Sequence, residues 1–314
     1  MDKNLARGLE NLAGNTDRHI DTRPFVLSGF ADEIALDLEH QISAFKELGI
    51  GYIEIRMVDG KNIIENSLDE VKTYKSMLDA AGIGVSAFGS PLGKVPVDTP
   101  FDEYFKVFRH GLDIADILET SNIRLFSFYL PKGADPKDHR DEVIRRMAEF
   151  VREAERRGVT LIHENEAGIY GESAECCADL FASIPSDNFK AVFDPANFVV
   201  AREKTYPEAY TLLREHIAYV HVKDALTDGE GYVITPAGEG EGRVQEIFAA
   251  LKNDGYKGFL SIEPHLHSMY ARMDIFAAYR KALDSCEPTD QFVADGFNQF
   301  KRAHEAVIKI LKTL

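Results

Sequence analysis

The chain has 314 residues, long for one ordinary domain, and its 45% hydrophobic and 28% charged residues are those of a globular protein with a sizeable core. Asp and Glu total 52 against 36 Lys and Arg, a net charge of -16. Such a surface repels phosphate backbones and anionic lipid, which argues against nucleic-acid and membrane partners.

Residues 1–23 are polar and hold no apolar run suited to a signal peptide, and no stretch approaches the ~20 apolar residues of a membrane-spanning helix. They read as an N-terminal extension ahead of one domain over 24–314, with a cytoplasmic location as the default. From residue 25, short apolar runs predict strands at 25–28, 52–56, 84–88, 123–128, 159–164, 191–194, 219–223 and 259–263. Amphipathic stretches separate nearly every pair; residues 37–48 carry apolar side chains at helical spacing, and Gly49 supplies the stop. The same punctuation recurs at Gly82, Gly158 and Gly255. Strand–helix alternation at this pace implies parallel βαβ units. Eight of them, with no residues left for a second domain, predict a single closed (β/α)8 barrel, a fold of roughly 250 residues and often more. An open sheet would want a glycine-rich fingerprint after its first strand, and Ser28-Gly29-Phe30-Ala31-Asp32-Glu33 is not one. Insertions at 225–243 and at about 267–291 follow strand C-termini and read as walls or lids of a site. The adjacent Cys176 and Cys177, with the distant Cys286, read as free thiols of a reducing compartment.

The last four predicted strands each present a metal-competent residue: Glu164, Asp194, His221 and Glu263, spaced 30, 27 and 42 residues apart. In a barrel these ends converge on one mouth, and three carboxylates there need a cation. An oxygen-rich set with one imidazole suits one divalent ion, Mn²⁺ or Mg²⁺ first and Co²⁺ or Zn²⁺ next. Any one of them alone would more often be a helix cap; four in order weaken that reading. Period-2 alternation turns Glu166, Lys223 and His265 toward the same mouth, and His163 and Asn165 away from it. Glu54 and Arg56 share a face, as a structural ion pair or as contacts to a hydroxyl-rich ligand. Lys94 follows the third strand, and Arg243 follows a glycine-rich loop; both are candidate substrate contacts. That loop, Gly238-Glu-Gly-Glu-Gly242, is a poor phosphate cradle, since its two acids repel the ligand.

The stretches Gly-Val-Thr-Leu-Ile-His-Glu164-Asn, Phe-Asp194-Pro-Ala-Asn197, Val-His221-Val-Lys223-Asp and Gly-Phe-Leu-Ser-Ile-Glu263-Pro resemble the sugar phosphate isomerase/epimerase family. This is the xylose isomerase-like TIM barrel superfamily, which also holds ketose 3-epimerases, inosose dehydratase and endonuclease IV. The segments Phe30-Ala-Asp-Glu-Ile34, Tyr52-Ile-Glu-Ile-Arg56 and Gly238-Glu-Gly-Glu-Gly242 are similar to it as well. The resemblance implies that Glu164, Asp194, His221 and Glu263 hold the metal, and that Glu164 and Glu263 also move protons. It implies a divalent-metal-dependent isomerase or epimerase of a keto-sugar or related polyol, working next to a carbonyl through an enediolate. Lys223 would stabilise the oxyanion or hold a substrate hydroxyl. Glu166 and Asn197 depart from the family, which commonly has histidine at both places, so the sugar does not carry over. The alternatives are a dehydratase of a keto-inositol or keto-glycoside on the same metal site, and a non-catalytic sugar-binding subunit. An abasic-site endonuclease fits poorly with the charge of -16. The expected partner is a small carbohydrate, and self-association into a homo-oligomer is compatible with the reading.

Overall fold

The computed structural model describes residues 22–266 and 290–314. Eight parallel strands form the central sheet: β1 (Val26–Gly29), β2 (Tyr52–Ile55), β3 (Gly84–Phe88), β4 (Asn122–Leu125), β5 (Thr160–Glu164), β6 (Phe189–Phe193), β7 (Ile217–Val222) and β8 (Phe259–Ile262). Sequence neighbours pair from β2 through β8, and β8 pairs with β1. β1 also lies against β2, so the sheet curls into a nearly closed (β/α)8 barrel. The expected fold class is the observed one.

The helices are α1 (Leu38–Leu48), α2 (Leu68–Ala81), α3 (Phe101–Leu118), α4 (Pro136–Arg157), α5 (Ala174–Ser183), α6 (Pro195–Val200), α7 (Tyr210–Leu213), α8 (Val244–Asn253) and α9 (Asp290–Leu311). Local chemistry sets their ends. Asp37 caps α1, Ser67 and Glu70 form a capping box on α2, and Asp135 with Pro136 opens α4. Gly49, Gly82 and Gly158 close these three helices with φ of 71°, 73° and 67°, a left-handed turn that a Cβ would oppose. Each helix lays its apolar face on the outside of the barrel; Phe150 of α4, fully buried, stacks on Phe108 at 4.3 Å and tilts against Phe128.

The barrel interior is layered, as alternation demands. The floor is Tyr52, Ala87, Ile162, Val192, Tyr219 and Phe259. Above it the hydroxyls of Ser28, Ser86 and Tyr219 form a chain, with Ser86 2.5 Å from Ser28 and 2.8 Å from Tyr219. Higher still, two residues along the strands, come Glu54, His221 and Ser261, and then the carboxylates at the strand ends.

Strand ends differ from the sequence reading by a few residues: β4 stops at Leu125 and β6 begins at Phe189. The insertion at 225–243 holds an unforeseen antiparallel hairpin, Asp224–Asp228 with Gly231–Thr235. The leader 1–21, Cys286 and most of the insertion at 267–291 lie outside the described residues. Among the described residues no helix is long and apolar enough to cross a membrane.

Candidate metal centre

Glu164 is the last residue of β5, Asp194 follows β6, His221 lies in β7 and Glu263 follows β8. All four are buried, and one ligand atom from each can be chosen so that the four atoms lie within 4.8 Å of one another. Asp194 serves two purposes. Its Oδ1 caps α6 by accepting the Asn197 N–H at 2.9 Å, which leaves Oδ2 facing the cluster. Asn165 clamps β5 to β6: its Nδ2 donates to Asp194 O, and its Oδ1 accepts from Asp194 N, both at 3.0 Å.

His221 is held from both sides. Nδ1 lies 3.0 Å from Glu164 Oε1, and Nε2 lies 3.2 Å from Glu54 Oε2. Glu54 is in turn anchored by Ser261 Oγ, which donates at 2.7 Å. A carboxylate behind an imidazole fixes its tautomer and leaves the other nitrogen for a ligand. Of the two readings of Glu54, the structural one matches its place: it is fully buried beneath the His221 ring and pairs with it rather than with Arg56.

Three buried cations surround the carboxylates. Lys223 Nζ is 3.0 Å from both Asp194 Oδ2 and Glu263 Oε2. Arg56 Nη1 donates to Glu263 Oε1 at 2.9 Å, and its Nε donates to Asp32 at 2.7 Å. Arg56 is thus in an ion pair, as one of its two readings had it, but with Asp32 and Glu263 rather than with Glu54. Arg124 Nη1 lies 3.2 Å from Glu164 Oε2 while its Nη2 donates to Gly89 O at 3.1 Å. Arg124 went unremarked in the sequence. The signal was there: a lone charge inside the apolar run of β4, on the barrel-facing phase.

The charges hold one another. Burial pushes the Glu263 carboxyl up, but Lys223, His265 and His221 outweigh it and hold it well below the usual range. Burial likewise opposes ionisation of Glu164, and His221 with Arg124 brings it down. Burial wins at Asp194, which rises to about 6 against the pull of Lys223. Burial disfavours the His221 cation, yet Glu164 and Glu54 raise its pKa well above the ordinary value. Two buried oxygens, Glu164 Oε2 and Asp194 Oδ2, still make no hydrogen bond, despite the neighbouring Arg124 and Lys223 charges. A divalent ion fits this donor set: hard oxygens with acceptor capacity to spare, plus one nitrogen whose partner is already oriented.

The mouth above is only partly as expected. Lys94 and Glu166 pair with each other at 2.9 Å, with Lys94 over the Phe126 ring. His265 Nε2 is 3.4 Å from Glu263 Oε1 and 3.3 Å from Glu33 Oε1, and makes no hydrogen bond. Glu33, Glu263 and His265 form a second group of metal-competent atoms within 4.8 Å. Arg56 already lies on both carboxylates of that group, 2.9 and 3.6 Å away, so its cation is the guanidinium. Asn197 donates its amide to Glu164 Oε1 at 3.2 Å and to Asn165 O at 2.9 Å, and so steadies Glu164. His163 is buried, bonded to Ser127 at 3.0 Å, and burial lowers its pKa to about 4. Arg243 does not join the site: it is half exposed, bonds Glu246, and lines a side groove with Arg202, Lys204 and Glu208. The glycine-rich loop does cradle an anion, but an internal one. The N–H groups of Gly238, Gly240 and Gly242 all donate to the carboxylate of Asp224 at 2.8–3.1 Å.

No curated protein sequence matches the chain. Solved structures share its fold at low identity. One is the probable 3-DHS dehydratase AsbF of Bacillus anthracis, 15% identical, covering 84% of this chain and 99% of that one, with a TM-score of 0.63. A xylose isomerase-like TIM barrel protein of Mycobacterium smegmatis in complex with magnesium is 14% identical over 92% and 97% of the two chains, with a TM-score of 0.64. D-allulose 3-epimerase from Methylomonas sp. is 15% identical over 90% and 98%, also at 0.64. Residues 42–288 match the family profile described as xylose isomerase-like TIM barrel. The barrel order, the four strand ends and this match agree: the chain belongs to the xylose isomerase-like TIM barrel family.

Proposed function

We propose that the protein is a divalent-metal-dependent isomerase or epimerase that moves a proton next to the carbonyl of a keto-sugar or related polyol. The observation that carries this reading is the convergence of Glu164, Asp194, His221 and Glu263 within 4.8 Å at the mouth of the barrel. When bound there, one Mn²⁺ or Mg²⁺ supplies Lewis-acid polarisation of the carbonyl and a neighbouring hydroxyl. Asp194 and His221 hold; Glu164 and Glu263 hold and move protons. The two glutamates are not equivalent. Glu263 accepts N–H bonds on both oxygens, from Arg56 and Lys223, which lowers its basicity. Glu164 Oε2 makes no hydrogen bond, so Glu164 is the better placed to take the first proton. Lys94, Glu166 and His265 stand above the metal site, where hydroxyls of a small carbohydrate would lie.

A dehydratase is the second reading. His265 Nε2 is buried and without a hydrogen bond beside Glu263, and with its pKa lowered to about 4 by burial it is placed to hydrogen-bond a departing hydroxyl as a neutral imidazole; the Bacillus anthracis neighbour is a probable dehydratase. The test is incubation of the Mn²⁺-loaded protein with ketoses, keto-inositols and keto-glycosides in D₂O. Deuterium entering the carbon next to the carbonyl, with mass otherwise retained, supports the isomerase or epimerase. Loss of water moves the assignment to the dehydratase. No exchange with any class, from folded and metal-loaded protein, sinks both.

A further inference from the structure

We propose that Lys223 is a resident counter-cation that a divalent metal must displace, so that the lysine's seat, and not only the four ligands, sets the metal affinity of this barrel. The inference rests on the metal-site reading above. Lys223 follows β7 by one residue, and its side chain is buried. Its Nζ lies 3.0 Å from Asp194 Oδ2 and 3.0 Å from Glu263 Oε2. The same two oxygens also face His221 Nδ1, at 3.9 and 3.5 Å, beside Glu164 Oε1 at 3.0 Å. The ammonium and a metal ion therefore draw on the same two acceptors.

Two cations on one pair of oxygens in a buried site repel strongly, because little water screens them. Of the three basic side chains around the cluster, Lys223 is the one free to leave. Arg56 is pinned to Asp32 and lies over the Phe30 ring. Arg124 is pinned to the backbone oxygens of Gly89 and Ser90. Lys223 is a point charge on a flexible stem, and its hydrogen bond goes to Glu263. The lysine then has two uses. It neutralises Asp194 and Glu263 while the metal is absent, which keeps the buried acids compatible with the fold. It gives up those two oxygens when metal enters.

If the lysine is seated nine times in ten, apparent metal affinity falls roughly tenfold below that of the cleared site. The experiment is calorimetric titration of Mn²⁺ into chelator-stripped full-length protein, comparing wild type with Lys223→Met and Lys223→Gln, alongside metal-free thermal melts. The expected result is at least tenfold tighter Mn²⁺ binding by both variants at unchanged stoichiometry. Their metal-free melting points should be lower, and the rise on adding Mn²⁺ larger than in wild type. Gln keeps a polar head if Met proves too disruptive to fold. Equal or weaker binding by folded variants, with wild type binding normally, overturns the displacement and leaves the metal site standing. Absence of binding in wild type and both variants overturns the metal site itself and the displacement with it.

Discussion

Replacing Asp224 should unseat the loop that braces the metal side of the barrel. Its Oδ1 accepts from the N–H groups of Ala225 and Gly242 at 2.9 and 2.8 Å, and its Oδ2 from Gly238 and Gly240 at 2.9 and 3.1 Å. The first two bonds are fully buried, the others partly so. In Asp224→Ala the two buried donors lose their acceptor, at about 1–3 kcal/mol each. The partly buried pair regains water and adds little. Burial raises the pKa of Asp224 despite these bonds, so removing the carboxylate also relieves some desolvation. The net expectation is about 2–4 kcal/mol of lost stability. Asp224→Asn keeps one acceptor oxygen but turns its NH2 on two N–H donors, so it should lose about as much. In the wild-type loop Gly240 admits no larger residue, because a Cβ there would collide with the Asp224 carboxylate and Ala225 O. The chain has no tryptophan, so denaturant unfolding is best followed by far-ultraviolet circular dichroism. The effect should also reach the metal: Ala225 packs on Ala196 and Val199 of α6, the helix that Asp194 caps. An Asp224→Ala protein within about 0.5 kcal/mol of wild type would refute the cradle as a stabilising element, since surface changes alone stay in that range.

Two further outcomes concern the candidate site, and a third a surface ion pair on α4. Glu54→Gln, behind His221, should weaken Mn²⁺ binding about 10–100-fold while leaving the fold intact, as for other partners of ligating histidines; unchanged calorimetric affinity would remove Glu54 from that role. Glu263→Gln should abolish turnover with unchanged circular dichroism, and retained turnover would take Glu263 out of proton transfer. Arg145 and Arg146 hold the Glu142 carboxyl down to about 2. Its folded pKa lies below the unfolded one, so the contribution is present above about pH 4.5 and fades as pH falls through about 2. Glu142 is about 40% exposed, so solvent screening limits the effect to under about 1 kcal/mol. Glu142→Gln should thus melt slightly below wild type at pH 7, with the gap closing near pH 2; a gap that widens in acid contradicts the pairing.

Local pattern alone determined much of this protein. The glycine stops after α1, α2 and α4, the eight apolar runs and the order Glu164, Asp194, His221, Glu263 all lie within short windows, because helix ends and strand alternation are short-range physics. Period-2 phase likewise turned His163 away from the mouth and Lys223 toward it. What each inward side chain would meet is a cross-barrel matter. Glu54 and His221 are 167 residues apart, and Arg56 and Glu263 are 207 apart. Nothing in either window distinguishes a sugar contact from a support for a ligand. Arg124 shows the same limit: its phase was legible, but its partner, Glu164, is on another strand. The glycine-rich loop is the clearest case. Its acids read as a reason for binding no anion, whereas its backbone N–H groups are already satisfied by Asp224, 14–18 residues earlier in the chain. Sequence placed the acids and bases on the right ends of the right strands. Only the closed barrel decided which of them converge, which brace one another, and which cation sits between them.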